Sequence, residues 1–155
     1  MLWVTLAGTF AYDKAHRMNH RGRDVQMAKE MYDKGLKIRK EVLGEAYVER
    51  ALKNADDFNR EFQEMVTESC WGAIWGRPGL SRKQRSLNNL CMLAALNRPH
   101  EFEIHFKGAL TNGCTIEEIK ETLLQIAVYC GIPAGVEAFR IGRKVLQEQA
   151  GAKAG

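Results

Sequence analysis

Apolar positions in this chain recur at three- and four-residue intervals and nowhere alternate, so the pattern predicts helices throughout. The first runs over about 24–42, capped by Asp24 and stopped by Gly44, and a short second one covers about 45–54. A third follows a cap at Asp56 and carries Phe58, Phe62, Met65, Ser69 and Ile74 on one stripe expected to face the core. It ends at Gly76-Arg77-Pro78-Gly79. Ser81 and Gln84 form a capping box for a fourth helix with Leu87, Leu90, Cys91 and Ala94 inward. Pro99 opens a fifth, with Phe102, Phe106 and Leu110 inward and a left-handed stop at Asn112-Gly113. Thr115 and Glu118 box the start of a helix bearing Ile119, Leu123, Ile126 and Tyr129. Gly131 breaks it, and Pro133 starts a last helix anchored by Phe139 and Val145.

These elements define an all-α fold of about six to seven helices, with neighbours antiparallel because the connections are short. No repeat and no long linker divides the chain, so residues 24–150 read as one domain. Residues 1–23 read as a flexible leader or as the product of a start assigned too early, with Met18 and Met27 as alternative starts. Their apolar stretch precedes the basic one, the reverse of a secretory signal. Residues 151–155 read as a disordered tail.

The net charge of +4 suggests a nucleic-acid partner until it is located. Most of it sits in the leader, on Lys14, Arg17, Arg21 and Arg23 against Asp13, and the nearly balanced body argues against nucleic acid. No apolar run approaches the roughly 20 residues that span a bilayer, which argues against a membrane partner. Cys70, Cys91, Cys114 and Cys130 have no metal-site or C-x-x-C spacing and read as small buried hydrophobes in a reducing, cytoplasmic compartment. No His set and no nucleotide-binding motif implies a metal or cofactor.

The candidate chemistry lies in two segments. Glu101 and His105 stand four residues apart on the fifth helix, so they share a face, off the Phe102/Phe106/Leu110 stripe and beside the small Gly108 and Ala109. A carboxylate there can orient and charge-tune an imidazole. Trp71 and Trp75, also four apart, make an aromatic wall, and Arg77, Arg82 and Arg85 follow. Arg85 lies beside the inward Leu87 face, and a buried guanidinium needs an anionic partner; Arg77, held between Gly76 and Pro78, is a weaker case. Arg82 and Lys83 read as surface residues, and His16, His20 and His100 form no ligand set.

Several segments in fixed order resemble the carboxymuconolactone decarboxylase family: Tyr47 to Ala51, Asp57 to Met65, Trp71-Gly-Ala-Ile-Trp75-Gly-Arg-Pro-Gly-Leu80, Ser81 to Leu87, Glu101-Phe-Glu-Ile-His105, Asn112-Gly113 and Ile126 to Pro133. The likeness covers about 27–146. It implies an alkylhydroperoxidase D-like fold and a homo-oligomer, trimer or hexamer. The superfamily's peroxidases carry C-x-x-C-x-x-x-H, and the two cysteine positions fall here on Arg98 and Glu101, which departs from thiol chemistry.

The resemblance further implies a carboxy-lyase that converts 4-carboxymuconolactone, a small dicarboxylate lactone, to 3-oxoadipate enol-lactone and CO2 in protocatechuate catabolism. No cofactor is implied, because the conjugated lactone accepts the electron pair. Alternatives are a decarboxylase or isomerase of a related lactone or β-keto acid, or a thiol-dependent alkylhydroperoxidase-type antioxidant protein. On this reading His105 donates a proton, or a hydrogen bond to the lactone oxygen, and Glu101 orients it and raises its pKa. Arg85, with Arg77 or Arg98, holds the retained carboxylate, and Trp71 and Trp75 exclude water.

Overall fold

In a computed structural model the backbone is described for residues 5–154 and the side chains for 24–152. Expectations about residues 1–4 and 155, and about the leader's side chains, including His16 and His20, lie outside what is described. The expected all-α class is found, as seven helices: α1 (Thr5–Leu43), α2 (Glu45–Lys53), α3 (Arg60–Met65, continued as a π-helical segment Val66–Trp75), α4 (Arg82–Ala95), α5 (Pro99–Thr111), α6 (Ile116–Tyr129) and α7 (Ile132–Ala154).

The first helix does not begin at Asp24. No proline interrupts the residues before it, and an established helix propagates more easily than a new one nucleates, so Asp24 lies inside α1. Gly44, at φ 91°, makes the turn into α2. Lys40 steadies that turn by reaching Glu45 at 3.0 Å and Glu49 at 2.8 Å.

Local chemistry sets the later boundaries as expected. Ser81 and Gln84 exchange backbone and side-chain bonds at 3.0 and 3.2 Å, and Thr115 and Glu118 do so at 2.8 and 3.1 Å. Gly113, at φ 83°, closes α5 with Cys114 N bonded back to Ala109 O at 2.9 Å. Asn97, at φ 51°, does the same for α4, with Arg98 N donating to Leu93 O at 2.9 Å.

Helices α4–α7 bury one core, built from Leu90, Phe102, Phe106, Ala109, Ile119, Leu123, Ile126, Ile141 and Val145. Leu87, Cys91, Ala94 and Leu110 pack against it as expected, whereas Tyr129 is exposed and Phe139 lies half out. A second core joins Ile38 and Val42 of α1 to Trp71 and Trp75.

The third helix departs most from expectation. Phe58 is 97% exposed and Phe62 57%, and Met65, Ser69 and Ile74 also face out. Thr67, Trp71, Gly72 and Trp75 are buried instead. Two causes combine. Asp56 spends its side chain on Phe58 N at 3.0 Å, and α3 starts only at Arg60. Beyond Met65 the winding widens to a π-helix, and the face it turns to α1 is the one bearing Thr67, Trp71, Gly72 and Trp75, which leaves the apolar stripe on the opposite side. The orientation is held by Arg39, 6% exposed, whose Nη1 donates to Thr67 Oγ1 at 3.0 Å and Nη2 to Gln63 Oε1 at 2.8 Å.

Glycine makes this packing possible. A Cβ on Gly35 would collide with the Thr67 carbonyl oxygen, and one on Gly72 with the Met31 carbonyl oxygen. Replacing a helical glycine by alanine gains up to about 1 kcal/mol of helix propensity, but here the obstacle is backbone and cannot swing away. Gly35→Ala should therefore be destabilised by about 1–3 kcal/mol in urea unfolding, while Gly79→Ala, with nothing within 4 Å of the new carbon, should match the wild type. Equal stability of the two variants would contradict this packing.

Candidate active site

The site grows from the π-helical segment. Four-residue spacing within it sets Trp71 and Trp75 side by side, with ring centroids 4.8 Å apart. His105, on the second turn of α5, stacks against both, 6.2 Å from Trp71 at 5° and 6.1 Å from Trp75 at 25°. From α4, Asn89 brings its Nδ2 to 3.3 Å from His105 Nδ1. Arg85 stands one turn earlier on the same face of α4.

Arg85 is half-buried. Its Nη2 donates to the Arg77 carbonyl at 3.2 Å, and its Nε is sealed from solvent with no partner. Among the described residues no carboxylate pairs with it. Burying a guanidinium nitrogen unpartnered is costly, so an anion placed there would be held strongly. Arg82 and Lys83, by contrast, form partly exposed ion pairs with Glu41 and Glu118, both at 2.7 Å.

The structure thus brings together Trp71, Trp75, His105, Arg85 and the backbone of Arg77, whose side chain is exposed. It does not bring Glu101 onto the imidazole. Glu101 is exposed, and no hydrogen bond joins it to the ring. Arg98 is also exposed and lines a crevice with Phe102, Glu137 and Ile141, whose walls include none of Trp71, Trp75 or His105.

Burial decides the charge of His105. Loss of water pushes its pKa down to about 4, and the opposing pull of the Glu101 carboxylate is too weak to restore it. The expected rise is therefore corrected. A surface carboxylate is screened by water, whereas the ring lies against two indoles, so the ring is neutral at pH 7. Cys114 is buried and Cys91 partly so, whereas Cys70 and Cys130 are exposed, against the expectation that all four are buried; desolvation of the sulfur pushes the Cys70, Cys91 and Cys114 thiols up, away from thiolate character. Among the described residues no three His, Cys, Asp or Glu side chains gather as a metal-ligand set.

Sequence reasoning missed two participants. Asn89 is a polar residue on the inward side of α4, four residues after Arg85, and that spacing was its signal. Arg39 interrupts the Gly35/Ile38/Val42 face of α1 with a charge, which marks it in the same way.

A sequence model of the Carboxymuconolactone decarboxylase family matches residues 60–144, a span that holds every side chain of the site. The chain is 45% identical over 123 residues to a nitrosuccinic acid decarboxylase of Metarhizium robertsii, covering 79% of this chain and 86% of that protein. It is 41% identical over 117 residues to a 4-carboxymuconolactone decarboxylase of Acinetobacter baylyi, covering 76% and 87% respectively. A 4-carboxymuconolactone decarboxylase of Pseudomonas putida is 50% identical over 44 residues, 28% of this chain and 92% of that one.

The neutral ring has a consequence for stability. Between about pH 6.5 and pH 4 the unfolded chain binds a proton at His105 that the folded chain refuses, so the wild type loses stability as pH falls through that window. The loss is bounded at about 3.5 kcal/mol, from about 1.4 kcal/mol per unit. Urea unfolding of wild type and His105→Gln at pH 7.5, 5.5 and 4.5 should show the wild type falling relative to the variant. A gap that stays constant, or moves the other way, would mean that the imidazolium is tolerated in the fold.

Proposed function

The chain belongs to the carboxymuconolactone decarboxylase family and is a carboxy-lyase; from that premise we propose that it decarboxylates 4-carboxymuconolactone or a closely related small dicarboxylate without a cofactor. The observation that supports the substrate class is the half-buried guanidinium of Arg85, which no carboxylate among the described residues pairs, one helical turn from the Asn89–His105 contact at the two stacked indoles. Side chains of that composition would suit an anionic ligand with a flat apolar body.

The substrates named for the relatives share the relevant chemistry. In 4-carboxymuconolactone the departing carboxylate sits on a carbon conjugated through a double bond to the lactone carbonyl. In nitrosuccinic acid it shares its carbon with a nitro group. Each carries its own electron sink, and each keeps a second carboxylate after CO2 has left. In the lactone, the bond to the carboxyl carbon breaks and its electron pair enters the ring as a dienolate. CO2 departs, and the ring carbon takes a proton from water.

In this reading Arg85 holds the retained carboxylate, aided by Arg77, whose carbonyl positions the guanidinium. Arg98, pointing into a different crevice, has no part in it. His105, neutral at pH 7, donates a hydrogen bond to the developing oxyanion and does not act as an imidazolium acid. Glu101 contributes only its field at the ring. Trp71 and Trp75 keep water from the departing carboxylate, which strengthens each of these interactions. A cytoplasmic setting and a homo-oligomer, trimer or hexamer, belong to the same reading. The four free thiols suit the first, and the exposed Phe58, Phe62, Met65 and Ile74 stripe suits the second.

Purified protein without added metal should consume 4-carboxymuconolactone in an ultraviolet assay, with nitrosuccinate as a second substrate. Release of CO2 from neither would defeat the reading. His105→Ala should lose about 10²–10³-fold in kcat, the scale of one oxyanion donor, with its helical circular dichroism intact. Arg85→Lys should chiefly raise KM, because a point charge replaces a planar fork. Near wild-type constants in either variant would remove that residue from the site.

A further inference from the structure

A neutral imidazole has one N–H and one lone pair, and the partner of one nitrogen decides what the other can offer. At His105 that partner comes from α4. The Asn89 amide nitrogen lies 3.3 Å from Nδ1, and an amide nitrogen can only donate. With the amide oriented this way, Nδ1 supplies the lone pair and Nε2 the proton. Among the described residues no other side chain bonds the ring, so the Nε2 hydrogen remains unspent. The indoles of Trp71 and Trp75 cover the ring and restrict its rotation.

We propose that Asn89 is a positioning residue that locks His105 in its Nε2–H form, turning the histidine into a fixed, uncharged hydrogen-bond donor toward an anion held by Arg85. Arg85 and Asn89 are one turn apart on one face of α4. A single helix thus supplies both the cation and the group that aims the imidazole. Glu101, the polar neighbour on the histidine's own helix, makes no hydrogen bond to the ring and does not set its tautomer. The link to oxyanion stabilisation rests on the decarboxylase reading, whereas the tautomer does not.

The two parts separate experimentally. In protein labelled with nitrogen-15 in its histidines, His105 at pH 7 should show a bare Nδ1 and a protonated Nε2. In Asn89→Asp the carboxylate can only accept, so Nδ1 should become protonated. In Asn89→Leu, of similar volume and with circular dichroism unchanged, kcat should fall at least about tenfold with little change in KM, as expected when the support of an aligned imidazole is removed. A protonated Nδ1 in the wild type, a bare Nδ1 in Asn89→Asp, or an unchanged kcat in Asn89→Leu would overturn the proposal. If the wild type decarboxylates neither substrate, the decarboxylase reading falls, and the nitrogen-15 spectra alone decide the tautomer.

Discussion

The close approach of α1 to the π-helical segment constrains everything else in this molecule. Gly35 lies against the Thr67 carbonyl and Gly72 against that of Met31, so the two backbones meet with no side chain between them. Such an approach forfeits side-chain packing at two positions, and Arg39 compensates by bonding Thr67 and Gln63 across the seam. Together these contacts fix the roll of the segment, which turns Trp71 and Trp75 inward and leaves Phe62, Met65 and Ile74 outside. The tryptophans then form the surface on which His105 rests. The chemistry of a residue on α5 is thus set by glycines on α1 and on a segment some thirty residues before it.

Desolvation and charge compete at that surface, and their relative sizes determine what the site can do. Glu101 favours an imidazolium, but it is exposed and its field is screened by water. Loss of water around the ring is the larger effect. A positive histidine would add a second cation about one helical turn from the half-buried Arg85. A neutral one leaves the guanidinium without a competing charge on the imidazole and adds an uncharged donor beside it. This division suits a dianionic substrate that must be held by one end and relieved of a carboxylate at the other.

What the sequence made legible was whatever depends on neighbours along the chain. Ser81/Gln84, Thr115/Glu118 and Asn112-Gly113 end or begin helices through bonds spanning three to six residues, and each was readable as written. The grouping of Glu101 with His105 and of Trp71 with Trp75 followed from four-residue spacing alone. The direction of the His105 shift did not, because it depends on indoles brought from a distant segment. The outward turn of Phe58 and Phe62 was hidden for a similar reason. A 3.6-residue repeat says which residues share a face, whereas which face turns inward depends on contacts with α1 that no local pattern contains. Asn89 was legible in principle as a polar side chain on an inward face, but its partner lay on another helix.

The most direct test of this account is a crystal structure with an inert dicarboxylate analogue of the lactone. One carboxylate should sit on the Arg85 guanidinium, the ring against Trp71 and Trp75, and the ring oxygen within hydrogen-bond distance of His105 Nε2. An analogue bound with its carboxylates elsewhere, for example on Arg143 in the apolar groove between α6 and α7, would contradict it.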